Sequence, residues 1–187
     1  MVELELLQTA SYLIAALSFT ITCAYYIMNL KNTQKNMQMT LETRQTQLFM
    51  QLFAQYNTKD FMNDFGKVAY QMEYKDLADW EKKYTPTNSL EHWASWCRVG
   101  RFFDGVGILV KRRLIDLDLV VEELREIILY SWDKMSPWVY EVRSVMKSER
   151  TWENFEFLAV EARKKHSDVA SLDEVNKWMR EAAKEVK

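Results

Sequence analysis

The sequence is poor in the residues that turn or cross-link a chain. Its 187 residues include only four glycines, two prolines and two cysteines. So few glycines and prolines leave little material for the tight turns of a β-sheet, whereas the frequent Glu, Lys, Leu, Ala and Met favour helices. Cys23 lies inside an apolar stretch, far from Cys97, so the cysteines provide no disulfide framework. The composition predicts an all-α protein.

Charge is missing altogether from Leu6 to Leu30, a run of 25 residues. A helix of that length rises roughly 37 Å, whereas the hydrocarbon core of a bilayer is about 30 Å thick. The run is therefore long enough to span a membrane with modest tilt. A buried core helix is the alternative, but so long an uncharged run is rare in a small soluble domain. The sequence predicts a transmembrane helix over residues 6–30.

The residues that flank this run predict whether it is cleaved and how it is oriented in the membrane. A cleaved signal peptide begins with basic residues and has a shorter apolar core, whereas two acidic residues and no basic one precede this run. Lys31, Lys35 and Arg44 follow it, and the positive-inside rule places such residues in the cytoplasm. We expect a retained anchor in the cell membrane, with residues 1–5 outside and the C-terminal part in the cytoplasm.

Small residues recur on one side of the predicted membrane helix. Ser11, Ala15, Ser18 and Thr22 follow one another at steps of four, three and four, which places them on one face. Such a face lets another helix backbone approach closely. It predicts packing in the membrane with a second copy of the chain or with a membrane-protein complex. The span contains no ionisable acid or base, which argues against an ion pathway through it.

No proline or glycine interrupts residues 31–56, so a helical stalk is expected to continue out of the membrane. Its apolar residues fall on near-heptad steps, but the polar residues Gln34 and Arg44 occupy two of the seam positions. A long coiled coil is therefore not supported. Because a lone helix is marginal in water, the apolar face of the stalk needs the globular part or a partner.

Residues 57–187 are expected to form a cytoplasmic bundle of about six to eight helices. Short polar residues that favour helix N-caps recur along it, at Asn57, Thr58, Asn88, Ser89, Asp116, Asp118, Thr151 and Ser171. Ser136–Pro137 predicts a further helix start, because proline is favoured in the first helical turn. No strand pattern, internal repeat or low-complexity segment is present in the sequence.

One predicted helix has the most informative pattern, with Gly100 and Gly107 on its apolar face. Each glycine costs about 1 kcal/mol relative to alanine in a helix interior. Such gaps are usually tolerated because another helix packs closely against them. Asp104 lies between the two glycines, where a carboxylate near a packed face needs a partner, and Arg98 and Arg101 are the candidate cations.

No arrangement of residues predicts a catalytic or metal site. His92 and Cys97 are five apart and lie on different helix faces, and His166 is in a separate charged stretch. Zinc needs three or four protein ligands, so neither a metal nor a cofactor is expected. The glycines around Asp104 match neither a P-loop nor a dinucleotide fingerprint. If the bundle held a pocket, Asp104, His92 and Glu91 would be the first candidates for its site.

The charged residues beyond the predicted anchor are balanced. All 25 basic residues follow Leu30, as do all but two of the 27 acidic residues. Nucleic-acid-binding proteins normally have a basic surplus, so no nucleic-acid partner is expected. The cluster Lys111, Arg112 and Arg113 fits the C-terminal end of a helix, where cations complement the macrodipole. The alternative is contact with anionic lipid headgroups by a domain tethered near the membrane.

Three runs carry a resemblance to a known family: TRQTQLFMQLF from Thr43, VGRFFDGVGILVKRRLIDLDLV from Val99 and SWDKMSPWVYEVR from Ser131. From about Thr43 to Leu158 the chain resembles an uncharacterised prokaryotic, largely archaeal family of small single-pass membrane-anchored helical proteins, a domain of unknown function. The resemblance implies an all-helical domain behind a membrane segment. It implies no activity, cofactor or catalytic residue.

These observations together predict a non-catalytic single-pass membrane protein that acts as a scaffold, adaptor or accessory subunit through helix–helix contacts. Its expected partner is a second copy of itself or a membrane-protein complex. The alternative is a membrane-tethered enzyme or ligand-binding sensor with a pocket in the helical bundle.

Overall fold

The computed structural model describes residues 2–165 and 169–185, and within them the protein is all-α. Seven α-helices follow one another in this part of the chain: α1 (Val2–Tyr56), α2 (Lys59–Gly66), α3 (Leu77–Tyr84), α4 (Leu90–Lys111), α5 (Leu117–Met146), α6 (Glu153–Lys165) and α7 (Leu172–Glu185). A π-helical turn over Lys67–Gln71 directly follows α2. The predicted fold class, a long apolar N-terminal helix followed by a helical bundle, is confirmed.

The chain divides into two compact units, Met1–Arg44 and Gln45–Lys187. The described residues of the first unit form the N-terminal part of α1, and all of their side chains are exposed. In the apolar stretch of α1, the hydroxyl groups of Thr20 and Thr22 each donate to the carbonyl four residues earlier. This stretch is long and apolar enough to cross a membrane, and none of it is buried in the structure.

The second unit is built around α4, which packs against α2, α5 and α6. The buried side chains of α4 include Trp96, Val99, Phe102, Phe103, Val106 and Val110. Aromatic rings join the helices: the Phe103 ring stacks on Phe155 of α6 at 5.1 Å between centroids, and Phe61 of α2 lies 4.6 Å from Phe102. Burial of this apolar area provides the main stabilising free energy of the unit.

Side-chain caps begin several helices at predicted positions. Thr58 caps α2 and Asp116 caps α5. Ser171 and Glu174 form the predicted capping box of α7: the Ser171 N–H donates to Glu174 Oε2 at 2.7 Å, and the Glu174 N–H donates to Ser171 Oγ at 3.3 Å. The backbone N–H of Ser171 lowers the pKa of Glu174 because it stabilises the charged carboxylate.

The helix start predicted at Ser136–Pro137 is wrong, because α5 runs through both residues. Pro137 has no N–H to donate to the carbonyl of Asp133, which is the usual reason for a helix to break at proline. The next carbonyl, that of Lys134, accepts a hydrogen bond from the hydroxyl of Tyr74, and burial raises the pKa of this hydroxyl. Buried side chains before and after the proline keep the helix in place.

Candidate functional site

Gly100 and Gly107 of α4 face the segment that begins α6. A Cβ added to Gly100 would lie 2.6 Å from Cη2 of the Trp152 ring, and one added to Gly107 would lie 2.6 Å from the carbonyl carbon of Asn154. Atoms that are not bonded do not approach so closely, so a larger residue at either position would push α4 and this segment apart. The missing side chains therefore allow the close contact of α4 with α6.

Asp104 lies between these glycines and caps α6 from another helix. Its Oδ1 accepts hydrogen bonds from the backbone N–H groups of Asn154 at 3.0 Å and Phe155 at 3.2 Å. Both groups belong to the first turn of α6, where N–H groups lack a helical acceptor and the helix dipole attracts negative charge. Of the two arginines expected as partners of Asp104, Arg98 pairs with Asp64 instead, at 2.8 Å.

A buried arginine, which was not among the predicted site residues, holds the turn before α6. The side chain of Arg143 in α5 is only 6 % exposed. Its Nε and Nη2 donate to the carbonyl of Thr151 at 3.0 and 2.8 Å, and its Nη1 donates to Glu156 at 2.6 Å. The Tyr140 hydroxyl donates to the other oxygen of Glu156 at 2.8 Å. Thr151 was expected to cap α6. Its backbone carbonyl accepts the two hydrogen bonds by which Arg143 holds this turn.

Four tryptophans from four different segments pack together beside this contact. The ring centroids of Trp80 and Trp138 are 5.2 Å apart, those of Trp138 and Trp152 also 5.2 Å, and those of Trp80 and Trp96 5.5 Å. Trp152 has a φ of 51°, a conformation that is rare for an aromatic residue, and it turns the ring toward α4. Trp178 of α7, in contrast, is 67 % exposed. The tryptophans therefore serve mostly as core, and Trp178 is a surface residue.

The three candidates for a pocket site lie in separate contacts. Ser89 Oγ is 2.7 Å from Nδ1 of His92, and Glu91 forms an ion pair with Lys67. Asp104 is twelve residues further along α4 than His92, roughly 18 Å along the helix axis, and its carboxylate caps α6. The structure therefore does not bring these three side chains into one site.

Among the described residues, no group of three or more His, Cys, Asp or Glu side chains is arranged to hold a metal ion. Burial raises the pKa of the Cys97 thiol, which disfavours the thiolate form that binds metals. His166, the third residue considered for a metal, lies outside the described residues.

The predicted membrane-packing residues Ser11, Ala15, Ser18 and Thr22 are all exposed on α1. The hydroxyls of Ser11 and Thr22 donate to carbonyls of their own helix at 2.9 and 2.8 Å. These two hydroxyls are therefore already used as donors, and the face is suited to close packing more than to hydrogen bonding across helices.

The basic residues Lys111, Arg112 and Arg113 are exposed at the C-terminal end of α4. Lys111 Nζ lies 5.0 Å from the centre of the Phe157 ring, and the Arg113 carbonyl accepts from the side chain of Gln45 at 3.1 Å. A helix end is where cations complement the macrodipole. Contact of this cluster with lipid headgroups stays a prediction.

A charged cleft, which contains none of the predicted site residues, lies between α3, α5 and α7. Its volume is about 630 Å³, and it is lined by four lysines, four carboxylates, Tyr74 and Asn176. Because its positive and negative groups are equal in number, the cleft has no net charge with which to select a ligand.

A family model for a domain of unknown function, DUF4760, matches residues 7–162. No curated protein and no solved structure matches the chain. The matched residues include almost all of the apolar stretch of α1, the whole of α2 to α5 and most of α6, whereas α7 lies beyond them. The match is wider than the resemblance found between Thr43 and Leu158. Since it covers most of the chain, the protein belongs to the family defined by the domain of unknown function DUF4760.

Proposed function

We propose that this chain is a single-pass membrane protein whose α1 crosses the bilayer over residues 6–30. The observation that carries this proposal is the exposure of the uncharged stretch, none of which is buried in the structure. Removing a large apolar side chain from water is worth about 1.5–3 kcal/mol, so leaving so many of them in water would be costly. The hydrocarbon core of a bilayer removes all of them from water at once.

Two other interpretations of the same stretch fit less well. The core helix of a soluble domain buries its apolar side chains, as α4 does, whereas no residue of this stretch is buried. A cleaved signal sequence has a shorter apolar core after basic residues. Here α1 continues as one helix to Tyr56, and the family match begins inside the apolar stretch, at residue 7. The stretch thus has the continuity of a retained anchor.

The proposed orientation places the N-terminus outside the cell and the helical bundle in the cytoplasm. Lys31, Lys35 and Arg44 follow the span, whereas the acidic residues Glu3 and Glu5 lie before it. The thiols of Cys23 and Cys97 are free, in keeping with a reducing compartment for the bundle.

As its role we propose a non-catalytic scaffold, adaptor or accessory subunit. The closely packed glycines of α4 are occupied by the segment that begins α6, so they support the bundle itself and are not a partner surface. Surfaces that α1 offers to a partner are the small-residue face of the membrane helix and, beyond it, the exposed apolar residues Met37 and Leu41. A second copy of the chain, or a helix of a membrane-protein complex, would cover them.

Fractionation of lysed cells tests the membrane proposal. After an alkaline carbonate wash and ultracentrifugation, the full-length chain is expected in the membrane pellet. Recovery of the intact chain in the supernatant, with its first thirty residues attached, would contradict the proposal.

Native mass spectrometry after a pull-down in mild detergent tests the proposed role. The expected result is a particle heavier than one chain, because a second copy or another protein stays bound. A single chain that binds no other protein at all protein concentrations would refute the scaffold role while leaving the membrane proposal intact.

A further inference from the structure

The turn from α4 into α5 and the start of α5, residues 112–123, form a surface that we call the α4–α5 corner. Arg113 has a φ of 56°, and the N–H of Leu114 donates to the carbonyl of Leu109 at 2.9 Å, which closes the end of α4. Ile115 is 2 % exposed and fixes the turn to the core, whereas Leu114 is 44 % exposed. The turn is therefore held in a defined shape while it presents an apolar side chain to solvent.

Two arginines beside Leu114 have no partner in the part of the chain that the structure describes. The side chains of Arg112 and Arg113 are exposed, and neither forms a hydrogen bond or ion pair with a described residue. Their neighbour Lys111 differs, because its Nζ lies over the Phe157 ring. An exposed cation gains only about 0.3–1 kcal/mol from the end of a helix. Both arginines are therefore available to a partner outside the chain.

Two glutamates of the α4–α5 corner are available in the same way. Glu122 and Glu123 are exposed and form no hydrogen bond or ion pair with a described residue, whereas Asp118 pairs with Lys165. Glu122 lies five residues after Leu117, the first residue of α5, which is roughly 8 Å along the helix. The corner thus carries two positive and two negative groups close together.

The presence of both signs indicates what kind of partner fits the α4–α5 corner. An anionic lipid surface would attract the arginines but repel the glutamates beside them, and a strongly acidic or basic protein would likewise satisfy only one sign. A second copy of the corner offers both signs in equal number. In a two-fold symmetric contact the same patch of each copy meets its counterpart, so a patch with both signs can complement itself.

We propose that the α4–α5 corner is a self-complementary contact between two copies of this chain. Arg112 and Arg113 of each copy pair with Glu122 and Glu123 of the other, and the two Leu114 side chains meet between them. An exposed ion pair is worth less than about 1 kcal/mol, so the contact is weak by itself. Two chains anchored in one membrane raise each other's effective concentration, and the proposal rests in this respect on the function proposed above.

Cross-linking in intact cells tests the contact. In a chain with Cys23→Ser and Cys97→Ser, Leu114→Cys places one thiol at the proposed centre, and Val145→Cys places one at the other end of α5, where Val145 is 72 % exposed. A short, membrane-permeant bismaleimide should join two copies through position 114 and not through position 145. Absence of the cross-link at position 114, with a native mass of more than one chain, would overturn this contact and leave the scaffold role intact.

Reversed charges test the pairing in the Leu114→Cys chain. Arg112→Glu with Arg113→Glu, or Glu122→Arg with Glu123→Arg, should each lower the cross-linked fraction by about tenfold or more, because like charges then meet. Co-expression of the two variants with different tags should restore the cross-link between them, since each then carries the sign that the other needs.

A matched control reverses two exposed cations elsewhere in the bundle. Lys82→Glu with Arg150→Glu changes the net charge as much as reversal of the two arginines does, and it should retain the cross-link. Equal loss in this control would contradict the proposal. If co-expression fails to restore the cross-link, Arg112 and Arg113 contact something other than the glutamates of a second copy, lipid headgroups included, and the proposal is wrong.

Discussion

The four glycines of the chain separate into two pairs by what surrounds them. Gly100 and Gly107 face the start of α6 so closely that a Cβ would collide, whereas nothing lies within 4 Å of a Cβ added to Gly66 or Gly105. Gly105 and Gly107 are two residues apart in the same helix, so helix propensity acts on both alike. The contact with α6 is what distinguishes them.

This difference gives a matched pair of substitutions. Gly107→Ala is expected to lower the free energy of unfolding by about 1–3 kcal/mol, the usual cost of overpacking a tight contact. Gly105→Ala is expected to raise it by up to about 1 kcal/mol, because alanine is the better helix former. Thermal unfolding of the full chain in mild detergent, followed by tryptophan fluorescence, measures both. Equal effects would contradict the close contact of α4 with α6.

Asp104 is predicted to stabilise the first turn of α6 as an N-cap residue within the same helix would. Asp104→Ala should cost about 1–2 kcal/mol, the range for loss of an N-cap, whereas Asp104→Asn keeps an acceptor oxygen and should cost less. Hydrogen exchange of the Asn154 and Phe155 amides provides the local readout. If their exchange is as slow in the alanine variant as in the unmodified chain, the cap does not stabilise the helix.

Arg143 is predicted to be the most sensitive charged residue of the bundle. Arg143→Met should lower the free energy of unfolding by about 3 kcal/mol, near the lower end for a broken buried pair, because Glu156 is 30 % exposed and stays partly hydrated. Arg143→Lys should lose nearly as much, since an ammonium group cannot reproduce the planar guanidinium geometry. Arg125→Ala, which breaks an exposed ion pair with Glu126, should change the free energy of unfolding by less than about 0.5 kcal/mol. Similar losses in Arg143→Met and Arg125→Ala would refute this role.

At the scale of elements, the proposed helix–helix contact in the membrane can be tested by comparing substitutions on two opposite faces of α1. Four small residues lie on the predicted packing face, namely Ser11, Ala15, Ser18 and Thr22, and four others lie on the opposite face, namely Thr9, Ala16, Thr20 and Ala24. Both sets accept replacement by leucine without loss of hydrophobicity. They differ in the face that a partner helix would contact.

Leucine at all four positions of the packing face should weaken association in mild detergent by roughly tenfold or more, which corresponds to about 1.4 kcal/mol. Leucine at the four opposite positions is the control and should leave association unchanged. Native mass spectrometry over a concentration series measures both variants. Equal behaviour of the two sets would remove the case for a specific packing face.

The elements were predictable where their signals are local in the sequence. The caps at Thr58, Asp116 and Ser171 are patterns of a few residues, and the structure confirms them. The partner of Asp104 was not predictable in this way, because the amide of Asn154 lies 50 residues further along the chain. A helix capped by a side chain of another helix has no local signature.

Two sites in α5 show where tertiary packing overrides or hides a local signal. Ser136–Pro137 has the local pattern of a helix start, but α5 runs through both residues with buried side chains before and after the proline. Arg143 had a usable signal: it follows the buried residues Met135 and Val139 at a step of four, which places it on the buried face. Its acceptor is a backbone carbonyl in the turn before α6. Because every residue has such a carbonyl, the sequence does not show which one Arg143 binds.

At the scale of the whole molecule, every buried residue that the structure describes belongs to the unit Gln45–Lys187. The described residues of the unit Met1–Arg44 are exposed throughout and include the uncharged stretch. The second unit thus has a core of its own, while the first contains an apolar surface that no described part of the chain covers. The proposed anchor, joined to a self-contained domain, accounts for both facts.

The most direct test of this organisation is labelling of single cysteines in intact cells with a membrane-impermeant maleimide. Cys23→Ser and Cys97→Ser remove the native thiols, and Val2→Cys or Glu122→Cys then introduces one thiol, Glu122 being exposed on α5. We expect Val2→Cys to be labelled in intact cells and Glu122→Cys only after lysis. Labelling of Glu122→Cys in intact cells, with Val2→Cys protected, would contradict the account.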